Sequence, residues 1–319
     1  MIYNLVLNST NVIDSINKTQ YAYTFINGNF YIPENSKLCI SQCMIPYSWF
    51  NINSTLYNNN SFSYVWYYSN GLSKTYTVTI PNGFYSISDI QQYLEVYMIS
   101  QNQYFTNTIT GQNLYYIYLS SNSTYYAIQL ICYPLPSSLP SSYAAPTNGF
   151  NYNNNTNYGY CNTNYTYTPQ IIISSSNNFK SIVGYSAGTY PSTLQQTTYN
   201  TLGTDIPNLT PVNSLIVQCS IINNYVASPS NILDCIPINN VSFGSNISYV
   251  PSYAKFINCS SGTFYDLILR ISDQNFNTIQ ANDSNILISL LLETPDPIYK
   301  SISEKNKIKN IEKLLFLEN

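Results

Sequence analysis

The chain has 319 residues, a hydrophobic fraction of 44% and a net charge of −3, which allows one large β domain or two smaller ones with a sizeable core. Only 8% of residues are charged, against roughly 25% in an average soluble protein; polarity comes instead from Asn, Ser, Thr and the hydroxyls of 34 Tyr. That balance leaves no broad basic surface for nucleic acid, and no apolar run reaches the roughly 18–20 residues of a membrane span.

In chain order, residues 2–7 read as a short strand followed by a polar connector to Thr19. The opening Met1-Ile-Tyr-Asn-Leu-Val-Leu has no basic region and no small-residue cleavage site, which argues against a secretory signal. Residues 20–26 and 30–32 read as extended, with a turn at Asn27-Gly28-Asn29. Residues 37–45 form a strong strand whose two parities, Leu38, Ile40, Met44 and Cys39, Cys43, Ile45, are both largely apolar, as in a strand buried on both faces. Residues 61–68 and 74–80 pair around the turn signal Ser69-Asn70-Gly71. Residues 86–100 predict a helix: Ser86 or Ser88 caps it, Asp89 sits in its first turn, and Ile90, Tyr93, Leu94, Tyr97 and Met98 line one face.

Further strands are expected at 114–119 and 125–133. Residues 134–168 shift in composition, with four prolines and then an Asn-Tyr-Thr tract, and read as a long loop or small inserted subdomain. Residues 171–173 form a short strand and 178–183 a helical turn ended by Gly184. At 214–222, Leu215, Val217, Cys219 and Ile221 share a face. Residues 248–250 and 255–257 are weaker strands. The clearest alternation lies at 263–271, with Thr263, Tyr265, Leu267, Leu269 and Ile271 on one side, and at 285–293, with Ile286, Ile288, Leu290 and Leu292 on one side. The polar segment 272–284 between them is too long for a tight hairpin and suits a corner from one sheet to another. Many short strands with one short helix make the chain all-β, a sandwich or a barrel. After Pro295 and Pro297, five of the 11 Lys and Arg cluster in a tail in which Ile308, Ile311, Leu314 and Leu315 fall at helical spacing. Such a tail is expected to dock on a partner as a helix or to remain a solvated arm.

Candidate chemistry is thin. The sequence has no His, which removes Ser-His-Asp and Cys-His catalysis and His-ligated zinc. It has no nucleotide-loop or nucleophile-elbow motif. The seven cysteines, Cys39, Cys43, Cys132, Cys161, Cys219, Cys235 and Cys259, are odd in number, scattered and mostly within apolar runs. They read as free thiols used as small core residues. Asp273-Gln-Asn275-Phe-Asn277 imitates the start of a calcium loop, but Thr278 and Ser284 stand where Gly and Glu are required, so it reads as a polar turn. Asp205, Asp234, Asp266 and Asp283 are too scattered to assign as an acid–base pair. No catalytic, cofactor-binding or metal site is therefore expected, and no enzyme activity. The low charge and abundant Tyr and Asn suit protein–protein contact, although an AT-rich genome produces the same bias.

An ordered series of segments resembles the penton (minor capsid) proteins of virophages and Polinton-like viruses. It runs from Ile32-Pro33-Glu34-Asn35-Ser36-Lys37 through Cys43-Met44-Ile45-Pro46-Tyr47-Ser48-Trp49-Phe50-Asn51-Ile52 to Ile80-Pro81-Asn82-Gly83-Phe84-Tyr85-Ser86. It continues with Phe179-Lys180-Ser181-Ile182-Val183-Gly184-Tyr185, Tyr190-Pro191, Val212-Asn213-Ser214-Leu215, Ile232-Leu233-Asp234 and Phe243-Gly244. The resemblance implies a single jelly-roll sandwich over 20–293, with an N-terminal arm at 1–19, an insertion at about 134–168 and a C-terminal charged tail at 294–319. It implies a homopentamer at the vertices of an icosahedral virion, beside double-jelly-roll major capsid proteins, assembled in the host cytoplasm or virus factory. It supplies no catalytic residues. The second reading is a spike or receptor-binding module whose Tyr-rich loops take glycans of a host or giant-virus surface; nucleic acid would be met only through the tail.

Overall fold

The computed structural model describes residues 1–68, 72–137, 139–147, 150 and 166–295. The Ser69-Asn70-Gly71 turn, the tract 151–165 with Cys161, and the tail from residue 296 lie outside them. The chain forms two compact units: Met1–Trp49 with Val212–Asn319, and Phe50–Pro211.

The first unit is built on eight strands: β1 (Ile2–Asn8), β2 (Gln20–Thr24), β3 (Lys37–Pro46), β4 (Ser214–Cys219), β5 (Ile232–Pro237), β6 (Asn246–Tyr249), β7 (Asp266–Asp273) and β8 (Leu287–Glu293). They form two antiparallel sheets in the orders β1-β8-β3-β6 and β2-β7-β4-β5. Successive strands β1, β2 and β3 alternate between sheets, as do β7 and β8, which is the winding of a jelly roll. Smaller pairings tie Phe30–Ile32 to Gly262–Phe264 and Ile257–Asn258 to β3.

Alternation decides which side chains enter the interior. Ile288, Leu290 and Leu292 of β8 are buried opposite Leu5 and Leu7 of β1. Leu215, Val217 and Cys219 of β4 are buried opposite Leu269 and Ile271 of β7. Segment 272–284 carries the chain from one sheet to the other, as expected. The mixed parity of β3 has a local cause. The register with β8 shifts between Ser289 and Leu290, so Gln42 and Ile40 find partners and Ser41 does not. This bulge reverses the faces: Leu38 and Ile40 point inward before it, Cys43 and Ile45 after it. Met44 is thereby exposed, while Cys39 is buried from the opposite side.

Two boundaries differ from the sequence reading. Residues 1–19 are not simply an arm, because β1 pairs with β8 along its whole length. The segment that interrupts the roll between β3 and β4 is also far longer than 134–168, since it comprises all of Phe50–Pro211.

That second unit has a four-stranded sheet, ordered Gly188–Tyr190, Gln170–Ile173, Ser61–Tyr68 and Leu72–Thr79. A three-stranded sheet is ordered Tyr199–Leu202, Ala127–Cys132 and Ile117–Asn122. Helix α1 (Ile87–Ser100) starts at the Ser86 cap, whose hydroxyl accepts from Asp89 N while the Asp89 carboxylate accepts from Ser86 N. Ile87, Ile90, Gln91, Leu94 and Met98 are buried. Buried Gln91 is satisfied because its amide completes the free edge of a strand, donating to the Ile117 carbonyl (3.2 Å) and accepting from Leu119 N (2.8 Å). A second helix, α2 (Phe179–Val183), ends at Gly184 with φ +68°, the left-handed conformation glycine adopts at least cost. The core is aromatic: Phe62 stacks on Phe179, Tyr64 on Tyr76 and Phe105 on Phe150.

Candidate assembly surface

The residues of the first unit that look reactive in the sequence do not converge on one point. The Asp273 carboxylate accepts from Asn275 N, Asn277 N and Asn277 Nδ2 at 2.8–3.0 Å, holding its own turn. Asp283 accepts from Asn285 N. Asp266 is exposed at the start of β7, and Asp205 belongs to the other unit. Among the described residues no three Cys, Asp or Glu side chains gather around a common point. The six described cysteines carry free thiols, five of them buried. Burial pushes Cys43, Cys219 and Cys259 up to about 12, which keeps them protonated and unreactive at neutral pH.

The surface of the jelly roll is more informative. Its two lateral edges are finished in opposite ways. At the β5/β6 edge, Lys255 Nζ lies 3.0 Å from Asp234 Oδ1 and donates to the Tyr249 hydroxyl at 2.9 Å, while that hydroxyl donates to Asp234 Oδ2 at 2.8 Å. Asp234 shares the inward row of Val217, its partner on β4. A strand of each sheet thus contributes to one clasp. Its hydrogen bonds to Tyr249 and Asp234 raise the Lys255 pKa above the ordinary lysine value, and burial raises that of Tyr249. Inward charge and a proline on β5 are standard protection for a sheet edge.

At the β1/β2 edge, β2 is partly covered by residues 11–13, where Val12 bridges Tyr21 and Ile13 N donates to the Gln20 carbonyl at 3.0 Å, but β1 has no such protection. β1 reads Ile-Tyr-Asn-Leu-Val-Leu-Asn, with no charge, proline or bulge, and is the last strand of its sheet. Its outward residues Ile2 and Val6 are exposed, as are Leu287 of β8 and Met44 of β3, which are direct register partners on the same face. An apolar groove of about 270 Å³ opens beside β1, lined by Tyr3, Leu5 and Leu292 of one sheet and by Tyr23, Phe25 and Phe30. The phenylalanines stack with centroids 5.2 Å apart, and Tyr3 meets Phe30 edge-on.

A second apolar feature is the β4–β5 connection, where Tyr225 and Val226 stand almost free of the surface, Val226 at 97% exposure. In the second unit, Phe84, Tyr85 and Tyr93 line an open cleft with Asp89 and Gln92.

Tyrosine is less of a surface residue than composition implies. Tyr64, Tyr67, Tyr76, Tyr115, Tyr116 and Tyr185 are buried in the second unit. The Tyr185 hydroxyl donates to the carbonyls of Ile128 and Thr201. The missing charge on β1 was visible in the sequence; the clasp was not, because Asp234, Tyr249 and Lys255 come from separate segments.

No family model matches the chain, and no curated protein does. Among solved structures, it is similar to the mavirus penton protein at 9% identity and a TM-score of 0.40, over 92% of this chain and 99% of that one. It is also similar to a chain of the cryo-EM structure of the Sputnik virophage, at 15% identity and a TM-score of 0.39, over 92% and 96%. Similarity at this level is shallow; the jelly roll is defined by the strand order within the chain.

Proposed function

We propose that this chain is a non-enzymatic structural protein of an icosahedral, virophage-like virion, forming the homopentamer at its vertices beside double-jelly-roll major capsid proteins. The observation that carries the reading is the unguarded β1 edge with its exposed apolar face. A strand that is long, uncharged and unpaired on one side associates unless another chain covers it. A five-fold ring requires two different patches on each copy, because contact around an axis of order above two is head-to-tail. The face of Ile2, Val6, Met44 and Leu287 and the tip of Tyr225 and Val226 supply two. The ordered sequence segments that resemble penton proteins, and the jelly roll that capsid proteins often use, support the same reading.

The test is mass photometry and negative-stain microscopy of the purified full chain. Five-fold rings are expected, lost in Leu287→Lys and in Val226→Asp with folding intact, since both side chains face solvent. A wild-type protein that stays monomeric at high concentration and is absent from purified particles overturns the proposal. The glycan-binding reading draws on the aromatic cleft of Phe84, Tyr85 and Tyr93, and saturable glycan binding abolished by Tyr93→Ala would favour it.

A further inference from the structure

We propose that the groove between the two sheets at the β1/β2 edge is the docking site of the chain's own C-terminal segment, residues 298–315, bound by the copy that carries it. Three observations converge. First, the groove is an opening into the sandwich interior, walled by Tyr3, Tyr23, Phe25, Phe30 and Leu292 with Ile26 exposed at its mouth. The opposite edge is closed by the Lys255 clasp. Apolar walls of this kind gain from a dry occupant.

Second, the chain delivers its end to the groove. The Met1 amine donates to the Thr294 carbonyl at 2.7 Å, and Thr294 N donates to the Met1 carbonyl at 2.9 Å. The segment beyond Thr294 therefore departs next to β1, two residues after Leu292, which lines the groove. From residue 295 to 308 an extended chain reaches at most about 45 Å, and the groove lies much nearer, so a same-chain contact costs little closure entropy.

Third, the segment has the matching chemistry. Ile308, Ile311 and Leu315 recur at helical spacing, and Ile298 and Tyr299 precede them. The remaining positions include Lys300, Lys305, Lys307, Lys309 and Lys313. Residues 300–319 hold these five Lys against Glu304, Glu312 and Glu318, a net charge of +2. The rest of the chain then carries −5, given the total of −3. An amphipathic helix with a basic outer face suits an apolar groove in an acidic body.

Hydrogen–deuterium exchange on the full chain tests this, with Ile311→Asp/Leu315→Asp in the tail and Ile26→Asp at the groove mouth as variants. These substitutions leave the buried core untouched. In the wild type, amides of 300–315 are expected to exchange at least tenfold more slowly than the same peptide free in solution. Either variant should abolish that protection and speed exchange at residues 23–30. Protection should be unchanged on tenfold dilution, as a same-chain contact requires. Tail amides exchanging at free-peptide rates, or variants without effect on both segments, overturn the proposal. So does protection that falls on dilution, which would assign the groove to a second copy. The readout is independent of ring formation, so the vertex reading can fail while this one stands.

Discussion

Lys255→Met tests whether the clasp closes the β5/β6 edge. The substitution keeps an apolar stem and removes the ammonium. Removing one partner of a fully buried pair costs about 3–5 kcal/mol, and of an exposed pair about 0–1 kcal/mol. Here Asp234 is 8% exposed and Lys255 38%, so solvent screens the cation side. Asp234 also keeps donors in the Tyr249 hydroxyl and Cys235 N. A loss of about 1–2 kcal/mol is therefore expected, or about 2–8 °C in melting temperature for a unit of this size. A double-mutant cycle with Asp234→Asn, read by chemical denaturation at pH 7, should return most of that loss as coupling. The pH dependence has a fixed sign. The Lys255 pKa is raised on folding, so its contribution is fully present below the unfolded value of about 10.4. It disappears as pH rises through the higher folded value. The gap between wild type and variant should hold from neutrality to the unfolded pKa and close above it. A gap below about 0.3 kcal/mol, or a coupling near zero, refutes the clasp.

Gln91→Leu leaves the Ile117 carbonyl and Leu119 N–H without the amide that pairs them, at about 1–3 kcal/mol for each group left dry; faster exchange at Leu119 is the local readout. Gly184→Ala must adopt φ +68° and place its Cβ 2.2 Å from the Asp205 carbonyl oxygen, so it should cost several times more than Gly28→Ala, where φ is +77° and nothing lies within 4 Å; equal losses in denaturant midpoint would refute the clash. Ser86→Ala removes the cap of α1 and should cost about 1 kcal/mol. The hydroxyl and backbone of Ser86 lower the Asp89 pKa. The stability this adds is present above the unfolded value of about 3.9 and is lost as pH falls, so the difference between wild type and Asp89→Asn should shrink in acid.

What the sequence made legible was local. The Ser86–Asp89 capping box and the alternation of Ile286, Ile288, Leu290 and Leu292 need only neighbouring residues, and both appear as read. Tyr265 failed the same rule: it shares parity with Leu267 but is exposed, because the pairing with Phe30–Ile32 ends at Phe264 and β7 begins at Asp266. The two-sided look of residues 37–45 came from one unpaired residue, Ser41, which no periodicity announces. The division at Phe50 and Val212 was hidden for a different reason. Composition differs between the units, with 24 of the 34 Tyr between residues 50 and 211, but that bias is spread over the whole segment and marks no position at its ends; the sharper change at 134–168 lies inside the second unit. Tyr64 is fully buried and Tyr225 almost fully exposed; the strand read at 61–68 separates the two, but which of its faces turns inward is set by packing that no local pattern carries.

The order of the strands links fold to function. β1 and β8 are the first and last strands of the roll, yet they are neighbours. The edge on which the proposed assembly depends therefore cannot exist until the chain through Glu293 has been made. Each half of the roll exposes apolar faces with no partner before then, because β1, β2 and β3 alternate between two sheets whose remaining strands lie beyond Val212. The second unit, by contrast, is contiguous and carries its own core, so it can fold while the roll waits for its last strands. Completion of β8 then creates the groove and the bare β1 edge together. A chain built in this order presents its association surface last. Premature pairing of β1 with another copy is limited because, until β8 arrives, β1 has no sheet in which to be an edge.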